Sequence, residues 1–210
     1  MADVISLNRA TRSDMVRWLA FSLVCAGGSL GLSWLSPVVP LPSLVRGVAV
    51  LFAILILPLA SLLVPVLLLR RVPRKKRKVA WQLIVPLTAG MALGFFGTAA
   101  GDAAALADRG VSADAVVVSA DYSSTNHCEL RTVDGQDISP RLSESDGCWD
   151  ATAKGDEVRV RYDPEGIAGP DDGRTGSYGV LLATLFGAAV LMGTWGGVRQ
   201  GRWDRAYGDA

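Results

Sequence analysis

Four stretches of the chain run for roughly 18 residues or more with almost no charge, which is the pattern of helices that cross a bilayer. They cover residues 16–36, 44–69, 79–101 and 178–198. The second contains 23 uncharged residues in a row, 47–69. At about 1.5 Å per residue it reaches about 34 Å, enough for a hydrocarbon core of about 30 Å. Between the first two stretches, Pro37, Pro40 and Pro42 break any helix and predict a short hairpin. Residues 102–110 are Ala-rich and end at Gly110, so the third helix is expected to continue that far.

The period then changes. A Val-rich run at 115–120, a run at 127–133, the turn Asp134-Gly135 and a run at 136–142 read as strands around a hairpin. Val158, Val160 and Tyr162 alternate with Arg159 and Arg161, which predicts a strand with one wet face, ended by Asp163-Pro164. Residues 111–166 are thus expected to form a small sheet or barrel. Residues 167–177, rich in Gly, Pro and Asp, read as a linker. The predicted fold class is an α-helical membrane protein with four transmembrane helices and an inserted small all-β extracytoplasmic domain.

Charge gives this layout a direction. The net charge of +1 over 210 residues hides a separation. Residues 101–176 hold 16 acidic and 7 basic side chains. Three arginines (Arg9, Arg12, Arg17) precede the first apolar stretch, seven cations crowd residues 70–78, and Arg199, Arg202 and Arg205 follow the last. Short basic segments stay in the cytoplasm. Residues 1–15, 70–78 and 199–210 are therefore expected inside a cell membrane, and residues 111–172 outside. A cleaved leader at the start is set aside, since no small-x-small site precedes a polar segment.

Small residues recur at four-residue spacing, which lets helices approach closely. Gly90 and Gly94 on the third stretch are expected to meet Gly179, Ala183 and Gly187 on the fourth. Ala189, Gly193 and Gly197 form another such ridge, and Pro58 and Pro65 predict a kink in the second stretch.

Candidate chemistry is sparse. Cys128 and Cys148 share the outer segment and are expected to form a disulfide that staples a thin core, while Cys25 lies in an apolar stretch. The alternative is metal ligation by His127, Cys128, Cys148 and Asp146, but their spacing fits no zinc pattern. His127 is the single histidine; Asp121, Ser123 and Ser124 lie near it, without a nucleophile elbow or phosphate loop. No ionisable group interrupts the apolar interiors, where transporters and channels usually place one. No cofactor or metal is expected. Anionic headgroups can gather at the basic stretch; nucleic acid is not expected, for want of base-reading groups.

The segment Gly155-Asp156-Glu157-Val158-Arg159-Val160-Arg161-Tyr162-Asp163-Pro164, with the upstream Asp134-Gly135, resembles a family of bacterial membrane proteins of unknown function. Their small outer β domain ends Gly-Asp-x-Val-x-Val-x-Tyr-Asp-Pro. The resemblance implies a membrane-anchored β domain and no reaction. The expected function is non-enzymatic: the outer domain binds or senses an extracytoplasmic ligand or docks a membrane or extracytoplasmic protein partner, with Arg159 and Arg161 on the binding face. The alternative is an enzyme or transporter whose site is not recognisable from sequence.

Overall fold

A computed structural model of the chain describes residues 2–68, 81–122, 125–173 and 178–207, and of residues 2–11 and 68 the backbone path alone. The basic stretch 70–78 lies outside the described residues. The helices are α1 (Ala2–Val38), α2 (Ser43–Leu51), α3 (Leu57–Leu68), α4 (Ile84–Arg109) and α5 (Gly179–Tyr207). The strands are β1 (Val111–Asp121), β2 (His127–Thr132), β3 (Asp137–Ser143) and β4 (Glu157–Tyr162). The chain divides into two compact units. One comprises residues 1–33, 43–97 and 178–210, the other 34–42 and 98–177.

The first unit is helical. Segments Arg12–Val38, Ser43–Leu67, Trp81–Arg109 and Gly179–Tyr207 are long and apolar enough to cross a membrane. Its core mixes apolar and polar residues, while large apolar side chains also lie on its surface. Ser22, Ser29, Ser33, Ser61 and Gln82 are buried, while Leu44, Phe95, Val180 and Leu191 are exposed. Hydroxyls fold back on their own helices: Ser33 Oγ donates to the Ser29 carbonyl at 2.7 Å and Ser61 Oγ to that of Pro58 at 2.6 Å. Such bonds satisfy a polar group with no help from water.

The kink expected in the second stretch is a π-helical turn, Phe52–Ile56, joining α2 to α3. The turn ends one residue short of Pro58, and the Leu57 N–H reaches the Phe52 carbonyl, five residues back. Pro58 has no N–H for the Ile54 carbonyl, and its ring would strike that carbonyl in a regular helix. A widened turn relieves both conflicts.

That bulge decides where the glycines go, and it corrects the packing expected from sequence. A Cβ on Gly90 would meet Pro58 Cγ at 3.1 Å, and one on Gly94 would meet Ile54 Cγ1 at 2.8 Å and the Ala53 carbonyl at 3.1 Å. Gly94 of α4 thus seats the π turn, and Gly90 seats Pro58 at the start of α3, rather than either facing α5. On α5, Ala183 is exposed, and a Cβ on Gly187 would meet nothing within 4 Å. The packed ridge of α5 is Ala189, Gly193, Gly196, Gly197 and Gln200. Gly193 faces Ser22 and Pro86, Gly196 faces Leu83, and Gly197 faces Trp18. The two helices do meet, through Ala89 and Leu93 of α4 and Ala189 and Val190 of α5, with Ala26 of α1 in the same cluster.

The second unit contains an antiparallel sheet of order β3-β2-β1-β4. The Asp134-Gly135 turn closes the β2–β3 hairpin, with Gly135 at φ 89° and Thr132 N–H on the Gln136 carbonyl at 2.8 Å. Period-two alternation puts Ala115, Val117, Cys128, Leu130, Ile138, Leu142 and Val160 into one core with Cys148. The opposite face is wet, with ion pairs Arg131–Asp137 and Arg141–Glu129, each at 2.6 Å. Residues 167–173 are not a loose linker. Ala168 is buried against Ala105 and Leu106, and Asp171 exchanges both backbone hydrogen bonds with Arg161.

Candidate functional site

The site is an open seam beside β4. The first wall is β4 itself, an edge strand of the sheet. Arg161 N–H and C=O point away from β1 and are taken by Asp171 at 2.8 and 2.9 Å. Antiparallel strands alternate with period two, so the N–H and C=O of Arg159 point the same way. Beyond Asp171, the Asp172 N–H continues to the Asp146 carbonyl at 3.1 Å. Among the described residues, 171–172 thus cover only the C-terminal end of the β4 edge, and none pairs with the backbone of Arg159 on that side.

The second wall is the loop 147–156, and several independent ties hold it. Cys128 of β2 and Cys148 form a disulfide with Cα atoms 5.7 Å apart, as expected. Asn126 donates to Asp150 Oδ1 at 2.6 Å, and the Tyr122 hydroxyl donates to the Thr152 carbonyl. Trp149 N–H bonds Thr152 Oγ1 at 3.1 Å, and Ala153 N–H bonds Asp156 Oδ2 at 2.7 Å. Between the walls lies a groove of about 540 Å³ lined by Leu142, Trp149, Thr152, Asp156, Val158 and Arg159, among others. Trp149 stands 53% exposed at its rim.

The two arginines of β4 separate here. Arg159 is exposed and lines the groove. Arg161 is half-buried; its Nε donates to the Gly110 carbonyl at 3.4 Å and its Nη2 to that of Ala107 at 3.3 Å. These carbonyls end α4, where a cation is favoured by the helix dipole. Arg161 therefore leaves the binding face expected from the alternation and joins the framework.

The residue that sequence reasoning missed is Asp163. Its side chain is fully buried, and the Arg109 guanidinium lies 2.9 Å away. Its oxygens accept N–H bonds from Glu165 at 3.0 Å, Ile167 at 3.3 Å and Ala168 at 3.1 Å. Arg109 also donates to the carbonyls of Pro37 at 2.7 Å and Val38 at 3.0 Å. Burial pushes the Asp163 carboxyl up, but the bond from Arg109 and those from Ala168 and Glu165 together hold it below the ordinary value. Burial also pushes Asp171 up, against the Gly173 N–H, and the charges of Asp172 and Asp146 add to the rise.

His127 is paired with Asp121 across the ladder, and its Nε2 lies 3.0 Å from Thr125 Oγ1. Ser123 and Ser124 lie outside the described residues. Among the described residues no three His, Cys, Asp or Glu side chains gather as metal ligands. In the helical unit, Trp18, Ser22, Ser29, Pro58, Ser61 and Pro86 border an enclosed gap of about 10 Å³. That is room for about one water molecule. No protein-family model matches the chain, and no curated protein or solved structure matches it either.

Proposed function

We propose that this chain is a multi-pass integral membrane protein that works by binding rather than by catalysis. Its termini and residues 70–78 lie in the cytoplasm and residues 111–172 lie outside. The disulfide-stapled β domain captures an extracytoplasmic ligand, or an extended segment of a membrane or extracytoplasmic partner, along the β4 seam. The observation that carries this reading is the β4 edge at Arg159, unpaired among the described residues, lining the same groove as the exposed ring of Trp149. An edge strand offers main-chain hydrogen bonds to an added strand, and flanking pockets select its side chains. An aromatic and an arginine at such a place are the side chains most often found to anchor an interface.

The membrane placement is supported by exposed leucines and phenylalanine around buried serines, an arrangement favoured in lipid. The disulfide supports an oxidising compartment for the β domain. The positive-inside count supports the orientation, and the resemblance at residues 155–164 agrees with both.

The test uses the full chain in its native membrane. A photo-crosslinking residue at position 149 is expected to trap a partner. Trp149→Ala with Arg159→Glu, crosslinked from position 157, is expected to lose it while the disulfide still forms. Loss of a measured activity in His127→Ala alone, with the domain folded, would instead favour the enzyme or transporter reading. Reporter fusions at Lys75 and Pro140 check orientation; a periplasmic-type signal at Lys75 would reverse it.

A further inference from the structure

At the C-terminal end of α5, Trp195, Arg199, Arg202, Trp203 and Tyr207 line an open groove of about 580 Å³. The residues recur at three- and four-residue steps, so one helix face carries them all. Arg199 and Arg202 are exposed, and among the described residues neither is paired with a carboxylate. The neighbouring arginine is different: Arg205 is paired with Asp14. Asp204, the acid of this turn, keeps Oδ1 buried and bonded to neither arginine. With the Gln82 amide oriented to accept, its oxygen lies 2.9 Å from Arg199 Nη1 and 3.3 Å from Trp81 Nε1. That contact positions one guanidinium without neutralising it. The Trp203 and Tyr207 rings are in tilted contact, their centroids 5.2 Å apart and their planes at 47°. Toward the middle of the helix the same end of α5 turns apolar, with Trp195 59% and Leu191 72% exposed.

We infer that this groove is a binding site for an anionic phospholipid, its phosphate held by Arg199 and Arg202 and its acyl chain lying along Trp195 and Leu191. The inference rests on the reading that α5 crosses a bilayer. Two guanidiniums that have no carboxylate partner among the described residues call for an anion, and the planar fork of arginine matches phosphate oxygens. The apolar strip that continues from them calls for hydrocarbon. A lipid supplies both in one molecule, whereas free phosphate satisfies only the first. Tryptophans at headgroup depth fit the same level.

The purified full chain is exchanged into nanodiscs of mixed phosphatidylglycerol and phosphatidylcholine, and co-retained lipid is read by native mass spectrometry. Wild type is expected to retain phosphatidylglycerol with a preference on the order of tenfold, from two cations near the surface. Arg199→Gln with Arg202→Gln is expected to bring the two lipids near parity. Arg202→Gln alone, an exposed change that leaves folding intact, should lose a substantial part of the preference. Lys75→Gln with Lys76→Gln should keep it. A preference unchanged in Arg202→Gln, abolished by the Lys75 and Lys76 changes, or fully displaced by millimolar inorganic phosphate would overturn the site. Carbonate extraction separates the two readings. A chain that stays in the membrane pellet without lipid preference overturns the site alone, and one released to the supernatant overturns the membrane reading with it.

Discussion

Asp163 is the residue on which most of the β domain's junctions converge. Its lowered pKa sets a sign. The stabilisation is fully present above the unfolded carboxylate value of about 4 and is lost as pH falls through the lower folded value. Asp171 has the opposite sign. Its raised pKa means that ionisation opposes folding at neutral pH, and this opposition is relieved as pH falls through the folded value. Protection factors of the β-strand amides, with the intrinsic pH dependence of exchange divided out, should therefore rise slightly on mild acidification and then fall below about pH 4. Asp171→Asn should remove the first change and Asp163→Asn should flatten the second. Arg109→Met strands a fully buried carboxylate and should destabilise the domain by about 3 kcal/mol, read as faster exchange in β1 and β4. The sequence showed Asp163-Pro164 only as the end of a strand. Its partner lies 54 residues earlier in an Ala-rich helix, and no local pattern links an arginine to an aspartate at that separation. Arg161 was half legible for the same reason. Alternation tells which face a side chain takes, but not that the end of a helix lies against that face.

At the scale of elements, the helices and the hairpin were legible because each is written in a local period. The four apolar stretches, the turn at Gly135 and the alternation of β4 each need only a few neighbouring residues. Pro58 announced a distortion too, but not its kind. Whether a proline gives a bend or a π turn depends on what the neighbouring helix can accept. Here α4 accepts the bulge because Gly94 carries no side chain, and it accepts the Pro58 ring that follows because Gly90 carries none. The sequence showed two ridges of small residues on α5, and the one expected to face α4 was Gly179, Ala183 and Gly187, whereas the buried residues of α5 are those at 189–200. This gives a paired expectation. Gly94→Leu pushes against the Ala53 backbone, which cannot move aside as a flexible side chain would, and should destabilise by about 1–3 kcal/mol or more. Gly187→Leu projects into open space and should leave the thermal midpoint in detergent unchanged. Equal losses in both variants would contradict the assignment of the two ridges.

At the scale of the whole molecule, the disulfide does more than add stability. It closes a loop spanning 20 positions, worth about 3 kcal/mol in the chain-entropy model. The same loop forms one wall of the seam. Reduction, or Cys148→Ser with Cys128→Ser, should therefore raise exchange across residues 147–156 before it does so in β1, and weaken crosslinking from position 149 in step.

The strand order holds one more consequence. The first strand of the domain pairs with the last, and Val111 sits opposite Tyr162. Partners in an antiparallel ladder lie about 5 Å apart, so the two ends of segment 111–162, which holds all four strands, are separated by a single rung, while residues 163–173 stay packed against α4. A plug of this shape can be lifted out and the gap bridged without stretching the chain that carried it. Replacing residues 111–162 with two glycines should leave the far-UV helical signal per molecule nearly intact. In that sense the β domain is a cartridge, and the same two ends could carry a different one.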